Sequence, residues 1–318
     1  MFLLYSKNFS ILITFIILNI VFNSEASGTN IYGRLDFALS SIDTSKNASK
    51  ADAVSHASRI GLKGKHTFDN GFSAIYKYET QIDPIDKNPS FSDRNSYLGF
   101  SGYFGRLLVG VHDTPVKQSQ GNIDLFNDTA GDIKNILWGE SRSKKLVQWN
   151  SPKFKGLTLS TMVILEKEDQ EAFSVNLMWK GKFVGNKAHF AIGFDFEAPQ
   201  KGYLFDTTRL AASIPLGKPL TLGLIWQDSE DSTGEINEDG YVVSLKMELS
   251  KKSELKVMFG ESDMVAAGAE ITGIGLDYKI AKPLKLYFNY IDKSYEDSSK
   301  ESEHIMIGLQ YKFNFEIF

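Results

Sequence analysis

Residues 304–318 read HIMIGLQYKFNFEIF. Every second position is apolar: Ile305, Ile307, Leu309, Tyr311, Phe313, Phe315 and Ile317. Between them stand Met306, Gly308, Gln310, Lys312, Asn314 and Glu316, with Phe318 last. A period of two marks a β-strand with one apolar face, because successive side chains point to opposite sides of the backbone. The length of the run matters as much as its period. Strands in soluble proteins average about five or six residues, whereas a strand that crosses a bilayer needs about 9–11. The same long alternation recurs in KAHFAIGFDFE (187–197), LTLGLIWQ (220–227), YVVSLKMELS (241–250) and PLKLYFNYI (283–291).

The composition is compatible with such a chain and excludes several others. There is no cysteine, which removes thiol catalysis, Cys-ligated zinc and a disulfide framework. The net charge of −4 gives no basic footprint for nucleic acid. The N-terminal stretch MFLLYSKNFSILITFIILNIVFNSEASG carries Lys7, an apolar run from Phe9 to Phe22, and Ser24 and Ala26 at small-x-small spacing. This predicts an export signal over residues 1–26, cleaved after Ala26. Past Phe22 no apolar run reaches the length of a membrane-spanning helix. Mean hydropathy is −0.20, a value a transmembrane β-barrel shares with soluble proteins because its lipid-facing and lumen-facing residues average out.

Connections alternate in length. Short ones fall at 69–71, 102–105, 151–156, 181–182, 215–219, 250–253 and 281–283. Long polar ones fall at 43–54, 83–93, 113–141, 228–239 and 292–302. Short turns at one end and long loops at the other are the pattern of an outer-membrane barrel. The reading is all-β: an antiparallel barrel of sixteen strands, starting near residues 30, 56, 72, 94, 106, 144, 157, 171, 187, 203, 220, 241, 254, 268, 284 and 303. The longest connection, 113–141, carries Asp113, Asp124, Asp128 and Asp132 with Leu125, Phe126, Ile133 and Ile136 among them. Apolar residues in a loop of that length predict that it packs against something, and the lumen is the natural place.

Several ordered motifs resemble general porins of Gram-negative bacteria, which are trimeric. IYGRLDFAL (31–39) resembles their opening strand. SRIGLKGKHTFDNGFSAIYKYET (58–80) resembles the second and third strands. DRNSYLGFSGYFGRLLVGVHD (93–113) resembles the two strands leading into the constriction loop. VQWNSPKFKGLTLS (147–160) and IGLQYKF (307–313) resemble the sixth and seventh strands and the closing strand. Between residues 165 and 300 only the alternation supports the reading.

The resemblance implies a homotrimer in the outer membrane, in contact with its lipid and lipopolysaccharide and inserted by the barrel-assembly machinery. It also implies a third loop folded into the lumen, facing a basic ladder. The matching cations are Arg34, Arg59 and Arg94, with Arg142 after the loop, and the matching acids are Asp128 and Asp132, with Asp124 behind them. Strand phase adds Lys63, Lys77 and Glu79 as lumen candidates, since charge on a lipid face costs about 2–4 kcal/mol near mid-membrane. The assembly signal would be the row Ile305, Ile307, Leu309, Tyr311 and Phe313, together with the last residue, Phe318. Chains of the family usually stop at the phenylalanine matching Phe313, and here NFEIF runs on to Phe318. Gly110-Val111-His112 stands where the family often has Gly-Arg-Gln, so a pore-side Arg/Gln pair of the family is replaced here.

The function implied is passive diffusion of ions and small polar solutes, with no cofactor and no metal. Three alternatives stay open at this stage. One is a channel specific for sugars or phosphate. Another is a barrel hydrolase, although neither G-x-S-x-G nor H-E-x-x-H occurs. The third is a secreted β-sandwich or adhesin. The acidic runs Glu166–Asp169 and Glu235–Asp239 are candidates for holding divalent cations with lipopolysaccharide, or simply solvated faces.

Overall fold

The computed structural model describes residues 28–317, apart from 46, 87–89, 166–171, 201, 235–236 and 264–267. The expected leader 1–26, Phe318, Glu235 and the run Glu166–Asp169 lie outside the described residues.

The strands are β1 (Thr29–Thr44), β2 (Asn47–Ser55 and Arg59–Thr67), β3 (Ser73–Ile82), β4 (Phe91–Asp93 and Ser96–Gly102) and β5 (Gly105–Asp113). Then come β6 (Arg142–Asn150), β7 (Leu157–Ile164), β8 (Ala172–Phe183), β9 (Asn186–Gln200), β10 (Tyr203–Pro215) and β11 (Leu220–Asp231). The last five are β12 (Asn237–Glu248), β13 (Ser253–Ser262), β14 (Ala269–Ala281), β15 (Leu284–Ser294) and β16 (Ser302–Glu316). Both pieces of β2 pair with β1, and both pieces of β4 pair with β3, so each is one barrel strand interrupted once. Consecutive strands are antiparallel, and β1 pairs with β16 from Asn30↔Glu316 to Thr44↔Ser302. The sixteen strands therefore close. A closed barrel has no sheet edge, which lets strands satisfy their backbone groups within lipid and sets the open β-sandwich aside.

The alternation sorts side chains as the physics of a membrane barrel requires. Leu39, Leu98, Leu177, Phe190, Leu210, Ile274, Phe288 and Ile307 are exposed on the outer face. Arg34, Asp36, Gln148, Asn176, Arg209, Gln227 and Asn289 are buried on the inner one. The closing strand continues past Phe313: Phe315 pairs with Ile31, Glu316 with Asn30, and the Ile317 N–H donates to the Thr29 carbonyl at 2.8 Å. The residues that extend beyond the family's usual terminus up to Ile317 are thus part of the β1–β16 seam.

Two of the expected long connections are largely paired strand. At 228–239, β11 runs to Asp231 and β12 starts at Asn237, paired from Asp228↔Asp239 to Glu230↔Asn237. At 43–54, residues 43–44 form the end of β1 and residues 47–54 belong to the first half of β2, paired from Phe37↔Ser55 to Thr44↔Asn47. This hairpin carries Ser49, Lys50 and Asp52 without an apolar row. Its positions on the face of Leu39 are the small residues Ser49, Ala51 and Ala53, which leave no apolar period to read in the sequence.

Candidate functional site

The connection between β5 and β6 holds a short helix α1 (Pro115–Ser119) and a 3-10 turn (Ile133–Asn135). One side of it is apolar. Ile123, Phe126, Ile133, Ile136, Leu137 and Trp138 are buried in one cluster with Ala191, Ala211, Ile225, Val242, Met258, Ile271 and Ile291 of β9 to β15. The strands make room with inward glycines. A side chain added at Gly260 would collide with Ile136, and one at Gly273 with Phe126. Trp138 stacks on Phe205 at a centroid distance of 4.5 Å.

The same side is fixed by a buried ion pair. Arg209 of β10 is 0 % exposed. Its Nη1 donates to Glu140 Oε1 at 2.5 Å, its Nη2 to the Trp138 carbonyl at 2.9 Å, and its Nε to Gln227 Oε1 at 2.6 Å. Burial raises the Glu140 pKa above the ordinary carboxylate value, against the pull of Arg209 and Lys117. Farther round the wall, Lys256 donates to the Leu125 carbonyl at 3.3 Å and sits 4.8 Å over the Phe126 ring.

The opposite side of the connection carries the charges. Asp128 adopts a left-handed backbone (φ 68°), a region that aspartate enters more easily than most side-chain-bearing residues. Its N–H is pinned by Asp132 Oδ2 at 2.8 Å, and Asp132 also accepts from the Lys134 N–H at 2.9 Å. So held, the Asp128 carboxylate meets three arginines. Arg34 Nη2 donates to its Oδ2 at 2.7 Å, Arg59 Nη1 donates to the same oxygen at 3.2 Å, and Arg94 Nη1 stands 3.9 Å from Oδ1. Arg34 and Arg59 are direct cross-strand partners, a repulsive pairing that the shared carboxylate offsets. The break in β2 assists: the carbonyls of His56 and Ala57 both accept from Arg34 Nη2. Burial works against the Asp128 carboxylate, but the guanidiniums of Arg34, Arg59 and Arg94 outweigh it and hold its pKa down to about 2.

The other sequence candidates divide. Glu79 accepts from Arg94 Nε at 2.8 Å and from the Tyr32 hydroxyl at 2.7 Å, and lies 3.3 Å from Lys77 Nζ. Lys63 sits over the Tyr32 ring at 4.8 Å. Arg142 does not reach Asp128; its Nε lies 3.0 Å from Asp113 Oδ1 and donates to Asn95 Oδ1 at 2.9 Å. Asp124 faces its own backbone, accepting from the N–H groups of Phe126 at 2.9 Å and Ile133 at 3.2 Å. Burial, and then the neighbouring Asp132 charge, push it well above the carboxylate range. It shapes the loop, and the arginine contact belongs to Asp128. At the departure Gly110-Val111-His112 the β5–β6 ladder shifts register, and His112 Nδ1 lies 2.9 Å from the Asp113 carbonyl.

Sequence reasoning missed Arg209, Glu140 and Gln227. It also missed the wall pairs in which Lys256 and Lys285 meet Asp277 at 3.0 and 2.8 Å, and in which Tyr287 and Gln310 donate to Asp36 at 2.8 and 2.6 Å. For the strand residues the available signal was phase, each being a polar residue in the inward phase of its strand; Glu140, in the loop, carried none. A cavity of about 550 Å³ brings together Arg94, Asp113, Lys117, Asp128, Asp132 and Arg142.

Residues 21–314 match the family model described as Gram-negative porin. The chain belongs to that family. Among curated relatives of this porin, the major outer membrane protein P.IB of Neisseria meningitidis serogroup B is 30% identical over 134 residues, 40% of each chain. The protein of the same name from Neisseria sicca is 25% identical over 121 residues, 37% of this porin and 34% of the relative. The matched stretches thus span well under half of those relatives. Among solved structures, the anion-selective porin from Comamonas acidovorans superimposes with a TM-score of 0.76 at 17% identity, covering 92% of this porin and 100% of that chain. The trimer form of the Vibrio cholerae outer membrane protein OmpT gives 0.64 at 15% identity, covering 91% and 100%. These likenesses carry the fold.

Proposed function

We propose that this porin forms a water-filled channel in the outer membrane, through which ions and small hydrophilic solutes diffuse, and that residues 114–141 are its constriction loop. The observation that carries this is the Asp128 carboxylate shared by Arg34 and Arg59, with Arg94 beside it, on the margin of an open polar cavity. Fixed opposite charges across a narrow aqueous passage set up a transverse field. A polar solute aligns its dipole there and exchanges hydration for wall contacts, and ions are sorted by local charge. Arg34, Arg59 and Arg94 are the basic side and Asp128 the acidic side. Asp132 positions Asp128, Asp124 shapes the loop, and Arg142 with Lys117 lines the approach around Asp113. No covalent chemistry is required, so the reading is of a channel and not of an enzyme. The assembly is a homotrimer, the leader 1–26 is removed on export, and the outer face contacts lipid and lipopolysaccharide.

Liposome swelling tests the reading. Vesicles carrying the folded protein swell quickly in small sugars and ever more slowly as the sugar grows. Vesicles that do not swell, although the barrel is shown to be inserted, would refute it.

A further inference from the structure

A second cavity, of about 610 Å³, opens at the other end of the barrel. Its cations come from the short-turn side. Arg106 follows the turn into β5, Lys153 lies in the connection between β6 and β7, and Lys180 is near the end of β8. Asn150, Asn176 and His189 line it as well, and no lining residue among those described is acidic. None of the three cations makes an ion pair among the described residues. The contrast with the Asp128 cavity is direct. There Arg94 meets Glu79, Lys117 and Arg142 meet Asp113, and Lys134 meets Asp132. Those cations are neutralised by the protein; Arg106, Lys153 and Lys180 are left for something else.

Two further features favour a ligand there over simple solvation. Asn150 is 7% exposed, and its Oδ1 is taken up by Gln148 Nε2 at 2.9 Å and Ser160 Oγ at 2.7 Å, while its Nδ2 has no partner in the protein. A buried amide donor among unneutralised cations suits an oxyanion, since charge-assisted bonds to oxyanion oxygens are the strong ones. The cavity also adjoins the proposed path, because Gln118 and Gly121 line both cavities.

We propose that the short-turn cavity is a binding subsite for small multivalent oxyanions, held by Arg106, Lys153 and Lys180, with inorganic phosphate the simplest ligand. An anion passing the constriction would find its next station there, so that phosphate enters from the two sides unequally. The inference about transport rests on the channel reading; the binding claim does not.

Two measurements separate the claims. In planar bilayers holding the full mature protein in potassium chloride, inorganic phosphate added to one side reduces the chloride current at a lower concentration than when added to the other. In the variant R106Q/K153Q/K180Q the half-blocking concentration rises about tenfold or more, because three attractive charges are gone, while openings in potassium chloride persist. A half-blocking concentration unchanged in the triple variant overturns the proposal. Phosphate binding to the detergent-solubilised protein, followed by phosphorus NMR line broadening, decides the subsite even if no current is seen. Broadening with wild type that is lost in the triple variant supports it, and no broadening with wild type overturns it whatever the current does. Lys180→Glu is a single exposed change that leaves the fold undisturbed, and it weakens phosphate binding in the same direction. Binding unaffected by that reversal also counts against the site.

Discussion

The two sides of the 114–141 segment solve different problems. The side toward β9–β15 is dry: Phe126, Ile133, Ile136 and Leu137 fill the space over inward glycines, and Arg209 and Glu140 are bonded to each other out of solvent. The side toward β1–β4 is wet and charged, with Asp128 shared among arginines beside a cavity. Position and chemistry are thus assigned to separate residues. The anchored side lets a single carboxylate stand among three guanidiniums without the loop being drawn onto the wall or driven off it.

The largest expected effect comes from breaking the anchor. Arg209→Ala leaves Glu140 buried without its partner and costs about 3–5 kcal/mol. Heat-dependent gel migration of the folded barrel reads the loss. The double variant R209M/E140M recovers most of it, because a well-packed apolar pair replaces a desolvated ionic one. Overpacking the same side comes next. Gly273→Val drives a side chain against Phe126 and costs about 1–3 kcal/mol. It also raises single-channel conductance if the loop is displaced, whereas unchanged conductance with lowered stability would mean that the loop repacks in place.

The charged side gives smaller effects on stability and larger ones on selectivity. Asp128→Asn leaves Arg34 and Arg59 facing each other and costs about 1–2 kcal/mol. The reversal potential in a salt gradient moves toward anions. The pH dependence has a definite sign. The folded pKa of Asp128 is depressed to about 2 from an unfolded value near 3.9. Its contribution is therefore fully present above about pH 4 and is lost as pH falls through about 2. Acid unfolding of the wild type over that window, compared with Asp128→Asn, measures it. The smallest change is Lys63→Ala, which removes one cation over Tyr32 and costs about 0.5 kcal/mol or less.

Where lipid dictates the pattern, the fold was legible in the sequence. Ile305, Ile307 and Leu309 had to face outward together, and they do. Where the row beside Leu39 is made of small residues, as at Ser49, Ala51 and Ala53, the apolar period is lost, which is why Lys50, Asp52 and their neighbours read as a loop. Arg34, Arg59 and Arg94 were found through motifs in the first strands. The selection of Asp128 over Asp124 depends on which carboxylate turns to its own backbone, and that is decided by hydrogen bonds between residues up to nine apart within one irregular segment. Arg209 and Glu140, 69 positions apart, carry no local mark beyond an arginine in the inward phase.

Single-channel recording in planar bilayers under a salt gradient is the most direct test of the central claim. The account predicts stepwise openings, in threes for a homotrimer, with a reversal potential that moves toward cations in Arg94→Ser and toward anions in Asp128→Asn. Folded, inserted protein that passes no current, or a reversal potential indifferent to both substitutions, would contradict it.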